Sequence, residues 1–473
     1  MQQVETMDFE LAEGERRAER QRVRRLAISD ALQLTARFVR ACVVFGTVFV
    51  SYLWQVFLDH VLGDESTWVQ NRWKRLHDLN AKRLYRGILT LRGVYIKMGQ
   101  VLSIMGNVLP RAYARELEGL QDQVPPAPWA DIEAELTLAL GKPPSEIFAE
   151  FSEVPLAAAS LGQVHRGRLK SGEDVAVKVL YPNVKEIIAV DLKVLAMAMR
   201  VYKWFIPVGG LERVVHELRD LLARETNFMH EARCLERLRD NMLQEPDVKF
   251  PTVHWELTSE TVLVMSFMEG VKISRKDELV KMKLDPEKVG QRLVELFYKQ
   301  LFIDRFFHAD PHPGNFLVQN DGSLVFLDFG AVSEVRDDLI DGAFKVMVGM
   351  FTRDDRQVMT GIDQMGFVSK SGDRELLERT VKIYFQKLLK LDIQDFGRIK
   401  ASQLQDLGDP GLEPAELREL MKSVEYPEGW FYVERSAVIL FGLAAHLAPK
   451  MNMVMVGMPY VMQRLAPPVA VAG

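Results

Sequence analysis

The chain has 473 residues, of which 48% are hydrophobic and 26% are charged, and its formal net charge is -5 at pH 7. This length predicts about two to three domains or lobes of roughly 150 residues each. The charge balance lacks the basic half or basic tail of a nucleic-acid-binding protein. Two widely separated cysteines, Cys42 and Cys234, do not make a disulfide framework, a zinc site or a redox pair, which indicates a reducing compartment.

The first predicted element is an apolar segment near the N-terminus. Residues 41–58 read ACVVFGTVFVSYLWQVFL without a charge, which is at the lower edge of the length that crosses a bilayer. Tyr52 and Trp54 suit a membrane interface, but basic residues stand on both sides of the segment and nearly balance each other. Three interpretations stay open: a true span, an interfacial or re-entrant helix, and a helix buried against the protein's own lobes.

The later elements follow from changes in apolar spacing. Helices are predicted over 61–120, 130–140 and 185–243, strands over 155–179 with a hairpin at Lys170–Glu173, two strands over 254–270, and mostly helices after about 284, with short strands at FLVQ and LVFLDF. Prolines 125, 126 and 128 mark a break. The order predicts an α+β fold with two lobes.

The predicted organisation has four parts. They are a basic helix and hydrophobic membrane-associated segment (1–60), a helical extension (61–130), a small strand-rich lobe (131–270) and a large helical lobe (271–473). The apolar, methionine-rich stretch at 453–472 is expected to close the core of the large lobe, although methionine-rich surfaces also suit contact with a lipid or a partner.

Four motifs stand in the order of a protein kinase. They are AAASLGQV (157–164), VAVK (175–178), HADPHPGN (308–315) and DFG (328–330). Each motif alone is common in unrelated proteins, but the ordered set, with a strand pair between the last two, matches the kinase template of phosphate loop, strand lysine, catalytic loop and D-F-G.

The residue types fit phosphoryl transfer, which depends on positioning and on charge neutralisation. Asp328 and Asn315 are predicted to bind one or two Mg²⁺ ions through hard oxygen ligands. Lys178 is predicted to neutralise phosphate oxygens of ATP, with Glu231 as the acid that holds it. Asp310 is predicted to orient or deprotonate the attacking hydroxyl or water.

The predicted nucleotide-contacting set lies on the alanine-rich loop and on the strand segment before residue 270. Its members, besides Lys178, are Ala157, Ala158, Ala159, Ser160, Gly162, Val164, Met265, Ser266 and Met268.

Three departures from an ordinary protein kinase are visible. Ala157 and Ala159 stand where two glycines of G-x-G-x-x-G are expected, and their methyl groups limit the approach of the backbone to phosphates. Ala309 replaces the arginine of H-R-D, and no A-P-E follows D-F-G, because residues 331–345 pass straight into a helical pattern. The platform for a peptide substrate is therefore predicted to be missing.

The chain resembles the UbiB/aarF family of atypical kinases, which includes the coenzyme Q biosynthesis kinases. The resemblance covers roughly residues 87–462 and rests on GVYIKMGQVLS (93–103), ELEGLQDQVPP (116–126), AAASLGQVH, ETNFMHEA (225–232), HADPHPGN and LDFGAV. It implies a bilobal protein-kinase-like fold with an N-terminal helical extension, in which residues 131–270 form the kinase-like N-lobe and residues 271–473 the helical kinase-like C-lobe. In this family the lysine and glutamine of K-x-G-Q, here Lys97 and Gln100, lean over the active site. Their implied partners are two acids of E-x-D, where this chain has Glu225 but Asn227 in place of the second acid.

The resemblance also implies work on membrane lipids, in particular isoprenoid quinone synthesis. The leading hypothesis is a MgATP-dependent atypical kinase or ATPase, associated with a membrane and facing the cytoplasm or an equivalent reducing compartment. Its expected partners are a membrane lipid or prenyl-lipid intermediate, and a biosynthetic complex, but no nucleic acid; the sequence does not determine the oligomeric state. The alternatives are a protein serine/threonine kinase and a nucleotide-binding scaffold without turnover.

Overall fold

The computed structural model describes residues 32, 34–61, 67–91, 93–96, 112–113, 116, 126–202, 211–369, 375, 378, 424–425, 427 and 429–465. Within these ranges two N-terminal helices precede a small lobe built on an antiparallel sheet and a larger, mainly helical lobe. This is the predicted α+β, kinase-like architecture with an N-terminal helical extension.

The helices in chain order are α1 (Leu34–Val61), α2 (Thr67–Leu91), α3 (Trp129–Leu140), α4 (Pro144–Ile147), α5 (Val184–Tyr202), α6 (Leu211–Glu225), α7 (Phe228–Asn241), α8 (Lys276–Lys281), α9 (Pro286–Tyr298), α10 (Asp337–Thr352), α11 (Asp355–Met365), α12 (Trp430–Leu447) and α13 (Met453–Leu465). The strands are β1 (Phe148–Phe151), β2 (Ala157–Ala158), β3 (Gly162–Leu169), β4 (Asp174–Leu180), β5 (Val248–Lys249), β6 (Val262–Ser266), β7 (Val271–Lys272), β8 (Phe306–His308), β9 (Phe316–Val318), β10 (Leu324–Phe326), β11 (Val332–Glu334), β12 (Val368–Ser369) and β13 (Val424–Glu425).

The apolar segment near the N-terminus forms α1, and α2 returns along it. By length and composition α1 could cross a bilayer, and only 17% of its most apolar window is buried inside the protein. A helix in the core of a soluble domain buries most of its apolar surface. The low burial is therefore inconsistent with the third interpretation of this segment, an ordinary core helix.

The sheet of the small lobe places one strand at its centre. Its order is β1–β3–β4–β6, with β2 also paired to β3, and every pairing is antiparallel. The predicted hairpin joins β3 to β4, and Gly172 at its turn has a φ of 90°, which favours glycine. β4 is mostly apolar because both of its faces are covered: one packs on Ile132 and Leu136 of α3, and the other belongs to the main core.

The segment 254–270 differs from its prediction of two strands. Only β6 is a strand of the sheet, while Trp255–Leu257 form a 3-10 helix, and Val253 makes a single bridge to Met265. The carbonyl of His254 accepts hydrogen bonds from the backbone of Leu257 and the side chain of Thr258, which turn the chain back before β6 begins. The β-branched and aromatic composition alone did not show this turn.

The large lobe carries two small sheets that hold the HADPHPGN and DFG motifs in place. β9 and β10 form the predicted hairpin between Asn315 and Asp328, and β8 pairs with β11. After D-F-G the chain forms the short strand β11 before α10 begins at Asp337, so it does not pass straight into a helix as predicted. At the C-terminal end, a Cβ placed on Gly457 of α13 would lie 2.5 Å from the Tyr298 ring, and this close packing supports closure of the lobe's core by α13.

Candidate nucleotide-binding and catalytic site

Lys178 projects from the central strand of the small lobe. It lies on β4 in register with Val164 of β3 and Leu263 of β6. Its neighbours along the strand, Val177 and Val179, are fully buried on the opposite face. Because side chains alternate along a strand, this packing fixes Lys178 on the face that meets α7 and the D-F-G residues.

Helix α7 supplies the acid that was predicted to hold this lysine. The side chain of Asn227 accepts a hydrogen bond from the backbone N–H of His230 at 3.1 Å and so caps the start of α7. Glu231 lies in the first turn, and its Oε1 is 2.5 Å from Nζ of Lys178. The predicted ion pair is formed, and both side chains are largely removed from solvent.

The D-F-G residues join this ion pair. Oδ2 of Asp328 lies 3.4 Å from Nζ of Lys178, and the backbone N–H of Phe329 donates a hydrogen bond to Glu231 at 3.2 Å. The ring of Phe329 is fully buried and packs 5.9 Å from the ring of Phe250. One carboxylate of α7 therefore fixes both the strand lysine and the backbone next to Asp328.

The charges in this cluster determine the state of the lysine. Burial alone would lower the pKa of Lys178, but the carboxylates of Asp328 and Glu231 outweigh burial and raise that pKa above its ordinary value of 10.5. Lys178 is therefore cationic at neutral pH. Burial raises the pKa of Glu231, and the ion pair with Lys178 opposes this shift.

His308 ties the catalytic loop to the D-F-G segment. Its Nε2 lies 2.7 Å from the backbone oxygen of Asp328, which can only accept, so Nε2 carries the proton. Its Nδ1 then accepts a hydrogen bond from the backbone N–H of Asp310 at 3.2 Å. Burial lowers the pKa of His308, and the neutral ring makes both contacts at once.

A buried glutamine fixes the start of the same loop. The side-chain oxygen of Gln300 accepts a hydrogen bond from the backbone N–H of His308 at 2.9 Å. Gln300 lies in a π-helical turn, Lys299–Asp304, that follows α9. Such turns are rare and recur at functional sites. Sequence reasoning missed this residue, because no local pattern marks a π-helical turn.

The two predicted metal ligands offer oxygen atoms. The side-chain amide of Asn315 donates a hydrogen bond to the backbone oxygen of Asp310 at 3.0 Å, which leaves the amide oxygen as the acceptor for a ligand. The Asp328 side chain is 46% exposed, so it is accessible. Mg²⁺ is commonly bound by one or two protein oxygens together with phosphates and water, and this donor set fits it. The described part of the chain has no cluster of three or more His, Cys, Asp or Glu residues that could hold a metal.

Arg435 is a site residue that sequence reasoning did not find. It lies on α12, and its Nη2 is 3.1 Å from Oδ2 of Asp310. The residue is only 6% exposed, and its Nε and Nη1 are buried without a hydrogen-bond partner. A buried guanidinium is costly unless it is paired. The signal that could have indicated it was an arginine inside a mostly apolar helix.

The predicted phosphate loop is a tight hairpin. Ala157 pairs with Val164 and Ala158 with Gln163, and the backbone N–H of Ala159 donates to the oxygen of Gly162 at 2.8 Å. Ser160 lies within the turn. Ala157 and Ala159 are exposed, so their methyl groups lie on the accessible side of the loop.

Gly162 has a structural reason to be glycine. A Cβ there would lie 2.4 Å from the backbone oxygen of Val179, so a side chain would force β3 away from β4. This single glycine is therefore required by packing within the sheet, independently of any contact with phosphate.

The remaining predicted nucleotide contacts lie at the end of β6. Met265 is buried in the strand, and the side chain of Ser266 accepts a hydrogen bond from the backbone N–H of Thr252 at 2.8 Å. Met268 follows, with its sulfur 3.9 Å from Oγ of Ser266. The structure places them beside the strand of Lys178, and their contact with a nucleotide stays a prediction.

Part of the predicted K-x-G-Q interaction can be located. Lys97 and Gln100 lie outside the described residues. Glu225, at the end of α6, borders the D-F-G glycine, since a Cβ placed on Gly330 would lie 4.0 Å from its Cγ. Asn227 serves as the cap of α7, and this role suits an amide as well as an acid.

Comparison with known proteins places these observations in a family. The profile of the "ABC1 atypical kinase-like domain" matches residues 119–361, slightly more than half of the chain. The chain is 31% identical over 412 residues to "Protein ACTIVITY OF BC1 COMPLEX KINASE 8, chloroplastic" of Arabidopsis thaliana, and this match covers 81% of the chain and 54% of that protein.

A bacterial relative and a solved structure extend the comparison. The chain is 33% identical over 320 residues to "Probable protein kinase UbiB" of Marinobacter nauticus, a match that covers 66% of the chain and 58% of that protein. The structure of the Rv3197–erythromycin complex from Mycobacterium tuberculosis superimposes with a TM-score of 0.54 at 22% identity, covering 84% of this chain and 100% of that one. At this identity the superposition shows the shared fold alone.

Proposed function

Because this chain belongs to the ABC1 atypical kinase-like family, we propose that it is a MgATP-dependent ATPase or small-molecule kinase that works at a membrane surface. The observation that carries the proposal is the joint placement of Lys178, Glu231 and Asp328, with Asp310 held next to them through His308. Phosphoryl transfer by a kinase-like site needs both the lysine–glutamate pair and the D-F-G aspartate in place.

The side chains divide the chemistry among them. Lys178, cationic and oriented by Glu231, neutralises phosphate oxygens of ATP. Asp310 accepts the proton of the attacking hydroxyl or water, while Arg435 holds one of its oxygens and leaves the other for the acceptor. Asp328 and Asn315 would hold Mg²⁺, which supplies neutralisation of the phosphate charge when it is bound.

The structure favours a small acceptor over a peptide. Ala309 is 1% exposed, so an arginine at this position has no room to reach a phosphorylated activation loop. Only β11 separates D-F-G from α10, and this short connection replaces the long activation segment of a protein kinase. These features support the ATPase or small-molecule kinase over the serine/threonine protein kinase.

The lipid link rests on the family and on α1. The name of one relative refers to the activity of the bc1 complex, and another relative is UbiB, a namesake of the family that includes the coenzyme Q biosynthesis kinases. Here α1 supplies an apolar helix that is mostly not buried by the protein itself. We extend the proposal to an isoprenoid quinone precursor or another prenyl lipid, handled alone or within a biosynthetic complex on the cytoplasmic side.

The test is MgATP turnover by the full chain, measured as released phosphate with and without anionic liposomes and quinone-precursor-like phenols. We expect turnover that liposomes and phenols increase and that Asp310→Asn abolishes. Binding of MgATP without turnover under every condition would favour a nucleotide-binding scaffold. Transfer of labelled phosphate mainly to serine or threonine of added proteins would favour a protein kinase.

A further inference from the structure

The outward face of α1 is apolar along its whole length. Its largest exposed side chains recur at helical spacing and are each 53–61% exposed: Val39, Val43, Val50, Trp54, Phe57 and Val61. Their separations of 4, 7, 4, 3 and 4 residues put them on one side of a helix. A continuous apolar stripe of this length on the surface of a protein marks a contact with a membrane or with a partner.

The inward face of α1 combines apolar side chains, which pack on the core of the protein, with polar side chains that form hydrogen bonds to neighbouring helices. Near its start, Arg37 makes two hydrogen bonds of 2.8 and 2.6 Å to Asp191 of α5, a fully buried carboxylate of the small lobe. Further along, side-chain hydrogen bonds connect α1 to α2 at Ser51–Asn80, Tyr52–His77, Gln55–Arg72 and Asp59–Trp73. Low residue numbers of α1 meet high numbers of α2, so α2 runs antiparallel along α1.

This pairing argues against a span. If α1 crossed a bilayer in this arrangement, α2 would accompany it into the hydrocarbon. Among the residues of α2 whose exposure the structure describes, the charged residues Arg75, Asp78, Lys82, Arg83 and Arg86 are exposed. Charged side chains at the centre of a bilayer are strongly unfavourable. The two helices therefore fit an orientation parallel to the membrane plane, with only the outward face of α1 inserted.

The charges identify the surface that this face contacts. Four of these five exposed residues of α2 are basic and one is acidic, so together they carry a net charge of +3. An apolar helical face beside a basic one is the pattern of interfacial helices on anionic lipids. Trp54, near the middle of the apolar stripe, is a residue type that prefers the headgroup region.

We propose that α1 and α2 form an in-plane anchor for an anionic lipid bilayer, with the outward face of α1 at the boundary between headgroups and acyl chains. This inference rests on the membrane part of the proposed function and specifies its partner and geometry. Because Arg37 joins α1 to Asp191, the anchor is attached to the lobe that carries Lys178. The candidate site is thereby held at the surface of the leaflet that α1 enters.

The first test is flotation of the full chain with vesicles of phosphatidylcholine alone or with about 30% phosphatidylglycerol. We expect binding that needs the anionic lipid and that falls at least about tenfold in Val43→Glu/Phe57→Glu. The matched control is Leu138→Glu, which adds a charge at another exposed leucine (79% exposed) and should stay within about twofold of the parent. Equal binding of the double variant and the parent would overturn the proposal.

The second test separates an in-plane helix from a span. Spin labels at Val39→Cys, Val50→Cys and Val61→Cys, in a chain with Cys42→Ser and Cys234→Ser, report depth in the vesicle by power saturation. We expect the same shallow depth at all three sites. A deep label at position 50 with labels 39 and 61 at opposite interfaces would establish a span, and strong spin–spin broadening at position 50 would establish pairing of two copies through this face. Either result overturns the proposal.

Neither test uses nucleotide, so the result of each test is independent of whether the protein turns over ATP. Turnover is measured separately, in detergent. If no turnover is found but the three labels lie at one shallow depth, the proposed catalytic function is wrong while the anchor stands. If turnover is normal and the depth profile is that of a span, the anchor is wrong while the catalytic function stands.

Discussion

Replacing Glu231 by glutamine tests the centre of the candidate site. The change removes the negative charge that lies 2.5 Å from Nζ of Lys178 but keeps the size of the side chain and one acceptor oxygen. It also weakens the contact of the carboxylate with the backbone N–H of Phe329. The result should therefore show in folding stability and in turnover together.

The magnitude follows from the surroundings of the pair. Two unit charges at 2.5 Å attract by about 7 kcal/mol at an effective dielectric constant of roughly 20, before desolvation is subtracted. Removal of one partner from a buried ion pair commonly costs about 3–5 kcal/mol. Lys178 keeps Asp328 at 3.4 Å and glutamine keeps a hydrogen bond, so we expect a loss of about 2–3 kcal/mol in the free energy of unfolding.

The assay is chemical unfolding of the parent and the variant, followed by MgATP turnover of the folded proteins. Turnover should fall about 100-fold, because Lys178 is no longer held toward phosphate. The matched control is Glu260→Gln, which breaks a lysine–glutamate pair of the same 2.5 Å length with Lys185 on the surface. Exposed pairs contribute about 0–1 kcal/mol, so this variant should nearly match the parent. Equal losses in the two variants would refute the argument from burial.

Four further results are expected. Asp328→Asn should nearly abolish turnover and reduce the thermal shift caused by MgATP, because it removes a charged ligand; an unchanged shift with unchanged turnover would eliminate Asp328 as the metal ligand. Arg435→Met should lower turnover at least about tenfold with little loss of thermal stability, since it frees Asp310 but also removes two unpaired buried nitrogens; normal turnover would contradict this. Burial lowers the pKa of His308 below 6.5, so the unfolded chain binds a proton there that the folded chain does not, and the stability should fall as the pH drops below about 6.5. His308→Gln should flatten the dependence of stability on pH by up to about 1.4 kcal/mol per pH unit, measured by denaturant unfolding between about pH 7.5 and 5.5. Equal slopes in the parent and the variant would contradict this. Ala157→Gly/Ala159→Gly should increase self-phosphorylation detected with radiolabelled ATP, because glycine relaxes the exposed loop; no increase, with MgATP binding retained, would place the restraint elsewhere.

The parts of the site that depend on short-range patterns could be predicted from the sequence. Lys178, Asp310 and Asp328 were predicted from kinase motifs that stand in the right order along the chain. Glu231 was predicted because a lysine on a strand that faces a cleft needs an acidic partner, and the structure brings the two together. Their catalytic roles stay predictions, but their proximity follows from the kinase-like fold.

The parts that depend on long-range contacts could not be predicted. Arg435 reaches Asp310 from a helix far along the chain, and nothing near either residue indicates the contact. The polar contacts of α1 were also hidden, because Ser51, Tyr52 and Gln55 are uncharged and the segment therefore reads as uniformly apolar. Only their hydrogen bonds to α2 show which side of the helix faces the protein.

The contact between Arg435 and Asp310 also bears on how a minimal active fragment of such a protein should be chosen. The family profile ends at residue 361, and a recombinant fragment cut there would contain every recognisable kinase motif. It would nevertheless lack α12, and the carboxylate of Asp310 would lose the cation that lies 3.1 Å away. If such a fragment bound nucleotide but turned it over slowly, the slow rate would be the result of the missing helix. The rate would therefore say little about the activity of the intact chain.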